Sequence, residues 1–194
     1  IDFLTNKEQI NSLGNIVVSS TKKKFKNKLY RNELSKWLHG KFSAKKDGLL
    51  IQSQNLPRLF STIIAYLIPN INIGSFFAKA DIKSFKTAQA VCVIGGWEEK
   101  IPVLSSESNK IVKTKPEIWI NTGRLTQRLL LEFAARGYGA SIFSIATEPG
   151  ETYKEIQKIV GMTERPEIMF CIGQIYKGHR FTPRFEVKEK IEQV

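Results

Sequence analysis

One stretch, NTGRLTQRLLLEFAARGYGASIFS at residues 121–144, constrains the fold of this chain more than any other. Leu125, Leu129, Leu130, Phe133 and Ala134 recur at helical spacing and form one apolar face. Asn121 or Thr122 is placed to cap the start, and Gly137 and Gly139 to end the helix. A strand, Ala140 to Ser144, then follows with almost no connection. A helix with a single apolar face must bury it against another element, and a strand this close makes that partner a sheet.

The neighbouring segments repeat the pattern. AQAVCVIGG, residues 88–96, is rich in Val and Ile and bounded by a glycine pair, which predicts a central strand. ETYKEIQKIVGM predicts a helix with Tyr153, Ile156, Ile159 and Val160 inward and Gly161 as its C-cap. RPEIMFCIGQIY supplies another strand. Strand, helix, strand, helix, strand reads as an α/β or α+β domain with one sheet covered by helices.

Upstream the pattern is less regular. Residues 5–39 read as largely helical, with Ile10, Leu13, Ile16 and Val17 in register despite Gly14, and Gly40 as a C-cap. Residues 1–40 are thus a basic helical arm and 41–194 the α/β domain. LPRLFSTIIAYLIP predicts a buried helix stopped by Pro69. NINIGSFFAKADIKSFKTA lacks a clean period and reads as loop with short helical turns, and EKIPVLSSESNKIVKTKPE as an exposed loop.

Composition narrows the partners. With 194 residues and 42% apolar content the chain can build one sizeable core. Thirty Lys and Arg against 18 Asp and Glu give a formal charge of +12, so the surface attracts anions. No apolar run reaches the roughly 20 residues that span a bilayer, which predicts a soluble protein, and two reduced thiols predict a cytoplasmic one. The opening IDFLTNKEQ has no basic n-region and no Met, and reads as the interior of a longer product.

Few residues offer chemistry of their own. Cys92 and Cys171 lie far apart in apolar runs, without metal-ligand spacing, and read as two buried reduced thiols. His39 and His179 have no Asp, Ser or Cys placed as a partner and read as surface residues; Glu98 and Glu99 read as a solvated turn. Trp37 and Trp97 are expected in the core, with a role over a ligand as the alternative. Arg31 and Glu33 receive no role. No metal site is expected.

The C-terminal tract CIGQIYKGHRFTPRFE collects Lys177, His179, Arg180 and Arg184 after an apolar strand. By itself, a basic tail after an edge strand reads as solvated.

The succession RNELSKWL, DGL, AQAVCVIGG, TGRLTQRLLLEFAARGYGASIFS, GMTERPEIMFCIGQ and FTPRFEVKEKI resembles the FMN-dependent nitroreductase family, in particular its large, two-half Acg-like branch. The resemblance covers roughly residues 31–194, and its order and spacing carry more weight than any single motif. It implies an α+β fold, a mainly antiparallel sheet flanked by helices, with FMN held where two halves or two subunits meet. It also implies electron transfer from NAD(P)H through FMN to nitroaromatics, quinones or similar small acceptors. The segment Ser144, Ile145, Ala146 and Thr147 resembles the one whose backbone runs alongside the flavin ring. Arg184 resembles the cation on the FMN phosphate, and Arg180 would add a second contact.

The family's Arg-rich helix start and its Ser-x-x-Asn-x-Gln-Pro-Trp loop are not found. Either the chain is the C-terminal portion of a longer protein, or it is a flavin-free binding module that docks an acidic partner through TKKKFKNKLY. Nucleic acid ranks low, because no reader motif is present. A membrane-surface role for residues 15–38 ranks third, because the apolar face is thin.

Overall fold

The core is organised by the strict alternation of side chains along two central strands. In this computed structural model, which describes residues 1–39, 49–50, 63–64, 66–97, 116–147 and 152–175, the strands β1 (Asp2–Leu4), β4 (Ala90–Gly96), β5 (Tyr138–Phe143) and β6 (Arg165–Gln174) form one sheet in the order β1-β4-β6-β5. Every pairing in it is antiparallel. The sequence expectation of a mainly antiparallel α+β sheet therefore holds. Strands β4 and β5 are consecutive in this sheet along the chain but are not neighbours, since β6 inserts between them.

Alternate residues of β4 and β6 face opposite ways, as the period of 2 demands. Val91, Val93, Met169 and Cys171 join one buried cluster with Ile10, Leu13, Ile16 and Val17 of α1 (Lys7–Lys26), Phe85 of α3 (Gly74–Thr87) and Ile156 of α5 (Thr152–Val160). Cys92, Ile94, Phe170 and Ile172 form the other cluster, covered by Leu125, Leu129 and Phe133 of α4 (Pro116–Ala135). Each large side chain buried this way contributes roughly 1.5–3 kcal/mol. Gly14 lets α1 and α3 approach closely: a Cβ there would meet Ile82 Cδ1 and Phe85 Cβ at 2.9 Å.

Several boundaries differ from the sequence expectation. The helix expected to start at Asn121 or Thr122 begins at Pro116, which suits the first helical position because its missing N–H has no partner to lose there. Ala134 is exposed, so the buried face of α4 is narrower than expected. Gly137, at φ 78°, ends the helix, whereas Gly139 is a strand residue. Residues 74–87, expected as loop with short helical turns, are one continuous helix with Ala78 and Phe85 buried. Its start is capped by Asn72, whose Oδ1 accepts from the Gly74 N–H at 3.0 Å.

The expected arm of residues 1–40 is divided. The chain forms two compact units, residues 1–21 with 76–176, and residues 22–75 with 177–194. β1 pairs with β4, and the apolar stripe of α1 enters the first unit's core, so the first 21 residues are part of the sheet domain. The stretch 5–39 is largely helical, as expected, and is built of two helices. Asn27 breaks it with extended backbone and accepts from the Leu29 N–H at 2.9 Å, starting α2 (Lys28–Trp37).

In the second unit, α2 leads into β2 (Leu38–His39), which pairs in parallel with β3 (Leu49–Leu50). The buried residue that ties this unit together is Arg31. Its Nε donates to the Ile68 carbonyl at 3.1 Å, and its Nη1 to the carbonyls of Phe25 and Lys26 at 2.7 and 3.1 Å. One guanidinium thus closes the C-terminal end of α1 and the turn after the helical residues Ile63, Ile64, Tyr66 and Leu67.

Candidate functional site

β4 and β5 run in the same direction on either side of β6, so their C-terminal ends open at one edge of the sheet, beside the start of β6. Gly96 pairs with Arg165 on one side and Phe143 with Met169 on the other. That edge gathers Gly95, Gly96 and Trp97, the segment 144–147, and Arg165 to Glu167. Strand ends of this kind are where backbone polar groups leave the ladder and become available to a ligand.

The segment Ser144 to Thr147 is a tight turn anchored to β6. Thr147 N–H donates to the Ser144 carbonyl at 3.0 Å. Thr147 Oγ1 donates to the same carbonyl at 2.9 Å and stands 2.9 Å from the Glu167 carbonyl. Thr147 is 3% exposed and Ala146 lies in the core cluster, while Ile145 packs against that cluster. Ser144 alone of the four is exposed. The side chains of 145–147 therefore hold the segment in place, and what it can present is backbone together with the Ser144 hydroxyl.

Around it, Phe143 packs against Phe85 with ring centroids 4.8 Å apart and the planes tilted by 44°, which holds the strand end in place. The Arg165 guanidinium lies 5.5 Å from the centre of the Tyr153 ring, and its Nε is 3.9 Å from Glu167 Oε1. Glycine is required at the end of β4: a Cβ on Gly96 would fall 2.4 Å from Ile118 Cγ2, and one on Gly95 would fall 2.8 Å from Glu164 Cβ. These two glycines let α4 and the start of β6 close on the strand end. Trp97 follows, 64% exposed, and Trp37 is 51% exposed, so neither is the core residue expected.

The remaining expectations divide. His39 is buried in β2 and is not the surface residue expected. Arg31, given no role from sequence, is the buried cation of the second unit; Glu33 binds Lys36 at 2.7 Å and the Trp37 indole N–H at 3.1 Å. Cys92 and Cys171 are buried free thiols, and burial pushes each up to about 12, so neither supplies a thiolate near neutral pH. Among the described residues, no group of three His, Cys, Asp or Glu side chains could hold a metal ion. Lys177, His179, Arg180, Arg184, Glu98 and Glu99 lie outside the described residues.

Whether these residues suit FMN can be judged by donor chemistry. An exposed hydroxyl and a short run of anchored backbone match the uncharged polar edge of a flavin ring. The Arg165 guanidinium, beside Glu167, does not supply a free cation for a phosphate.

Two solved structures resemble the chain along almost its whole length. Both are of NfnB, an FMN and NADPH-dependent nitroreductase from Sphigopyxis sp. strain HMH, one of them a single-substitution mutant. The TM-score is 0.53 in each case, with 14% identity for the mutant and 12% for the other. The match covers 99% and 100% of this chain, and 77% and 78% of NfnB. The chain has a nitroreductase-like fold. No family model matches the sequence, and no curated protein does. Among the described residues no helix is long and apolar enough to cross a membrane.

Proposed function

We propose that this chain is an FMN-dependent oxidoreductase of the nitroreductase type, related to the two-half Acg-like branch. The observation that carries the reading is the anchored turn Ser144 to Thr147 at the open end of a nitroreductase-like sheet, with its hydroxyl at Ser144 exposed and its other side chains built into the core. When bound, the flavin would accept electrons from NAD(P)H and pass them to a nitroaromatic, a quinone or a similar small acceptor.

The chain's own part is to bind and orient. Ser144 and the backbone beside it meet the polar edge of the ring. Thr147 keeps that backbone in one place, which is what makes a hydrogen bond to the ring selective for position. Arg184 forks onto the phosphate and Arg180 adds a second charge-assisted contact. A second subunit or a further half of the protein would complete the site, as the resemblance to the two-half branch implies. A cytoplasmic setting suits two reduced thiols.

The test is a titration of FMN into the 194-residue chain, followed by flavin fluorescence, and repeated with Arg184→Ala and Ser144→Ala. Saturable binding near micromolar, weakened at least about tenfold by Arg184→Ala, is expected. Binding that ignores both substitutions would refute the assigned contacts. No binding up to hundreds of micromolar would favour the flavin-free binding module.

A further inference from the structure

Half of the chain's formal charge of +12 resides in sixteen residues, KKKFKNKLYRNELSKW at 22–37, with six lysines and one arginine against one glutamate. Within the second unit this segment forms the last turn of α1, the Asn27 break and all of α2. Lys22, Lys23, Lys26 and Lys28 are exposed, and the one glutamate, Glu33, is engaged by Lys36 at 2.7 Å.

The same unit carries large apolar side chains that the fold does not bury. Leu29 is 77% exposed and shares a face of α2 with Glu33, Lys36 and Trp37, at spacings of four, seven and eight residues. Arg31 then brings a distant segment alongside. By binding the Lys26 and Ile68 carbonyls together, it places the turn that carries Leu67 and Ile71 next to the α1–α2 junction. Leu67 and Ile71 are exposed, and Tyr66, in the preceding helical turn, is 80% exposed. The apolar face that looks thin along residues 15–38 alone is widened by residues some forty positions away.

The geometry points to this ridge as a docking surface for an anionic lipid bilayer. Lysines on flexible stems, without arginine forks, suit a diffuse negative surface of headgroups. Exposed Leu, Tyr and Trp side chains among them suit the boundary between headgroups and acyl chains, where amphipathic rings and aliphatic side chains are stabilised. A nucleic-acid groove would take the same charge, but it has no use for Leu29, Leu67 and Ile71. The surface acts by lying on the membrane, and it is independent of whether the sheet domain binds a flavin.

The experiment is co-sedimentation of the chain with phosphatidylcholine vesicles and with vesicles that also contain phosphatidylserine, at low and high salt. Binding to the anionic vesicles alone is expected, weakened on the order of tenfold or more by Lys26→Glu with Lys28→Glu, and several-fold by Leu29→Asp. Quenching of Trp fluorescence by brominated lipid, reduced by Trp37→Phe, gives the same reading without altering charge. Equal binding to neutral vesicles, binding unaffected by these substitutions, or tight binding to a DNA duplex with the anionic vesicles left unbound would overturn the proposal.

Discussion

Cys92 and Cys171 occupy neighbouring strands one position out of register: Cys92 pairs with Phe170, Cys171 with Val91, and the two thiols belong to buried clusters on opposite faces of the sheet. A disulfide between them would need one strand to turn over, so oxidant cannot join them in the folded chain. Burial pushes both thiols up to about 12, mainly by desolvating the thiolate. An aromatic disulfide reagent should therefore titrate almost no thiol in the native chain, and both after unfolding. The sign for stability follows from the raised values. The contribution is complete below the ordinary thiol range, about pH 8.5, and is lost as pH rises toward 12. A Cys92→Ala, Cys171→Ala variant should lose this alkaline slope between about pH 9 and 12 in urea unfolding.

Thr147 and Ser144 should separate structure from binding. Thr147→Val keeps the shape but removes the hydroxyl that donates to the Ser144 carbonyl and lies 2.9 Å from that of Glu167, at a cost of about 1–2 kcal/mol in urea unfolding. Ser144→Ala, at an exposed position, should change stability by less than about 0.5 kcal/mol. If the segment meets a flavin ring, Ser144→Ala should nevertheless weaken FMN in the titration. The reverse pattern, a stability loss at Ser144 and none at Thr147, would contradict the turn described.

Arg31 is 8% exposed, and its hydrogen bonds run to backbone carbonyls at the ends of two helical segments. Lysine cannot reproduce this, since an ammonium on one stem cannot span both sites as the fork does. Arg31→Lys should cost about 2 kcal/mol and Arg31→Met about 3, because buried carbonyls lose their donor. Hydrogen exchange should then speed up around residues 27–34 and 68–71, with the sheet domain unchanged. Uniform acceleration throughout the chain would show that Arg31 serves both units.

How far the chain could be read in advance depends on where each signal lies. α4 and α5 were legible because Leu125, Leu129, Phe133 and Ile156 repeat at helical spacing and glycines close both helices at positive φ. α3 was not, because lysines and Asp81 dilute the period of Ala78, Ile82 and Phe85, and its cap, Asn72, looks like any loop asparagine. β1 is three residues whose only signal is a partner almost ninety positions away. The burial of His39 and Arg31 and the exposure of Trp37 and Trp97 depend on such distant neighbours too. At the candidate site, the strand exit of 144–147 was visible in the sequence. The clamp from Thr147 to Glu167 was not, because a hydroxyl in a turn carries no mark of the strand it will reach.

Asp81 offers a test of the packing between α1 and α3. Its carboxylate accepts from the Thr21 hydroxyl at 2.7 Å, and burial raises its pKa, with the Thr21 bond opposing the shift. Burial therefore outweighs the one hydrogen bond. A raised carboxylate stabilises the fold fully only below the ordinary carboxylate range, about pH 4, and loses that contribution as pH climbs through the raised value. Asp81→Asn keeps an oxygen for Thr21 and removes the buried charge. It should melt higher than the parent at pH 7, with the gap closing as pH falls toward 4. Thr21→Val should do the opposite, leaving the carboxylate with less compensation and lowering the melting temperature most at neutral pH. A gap for Asp81→Asn that widens on acidification would mean that the carboxylate is stabilised in the fold by a cation, and that burial is not the dominant cause.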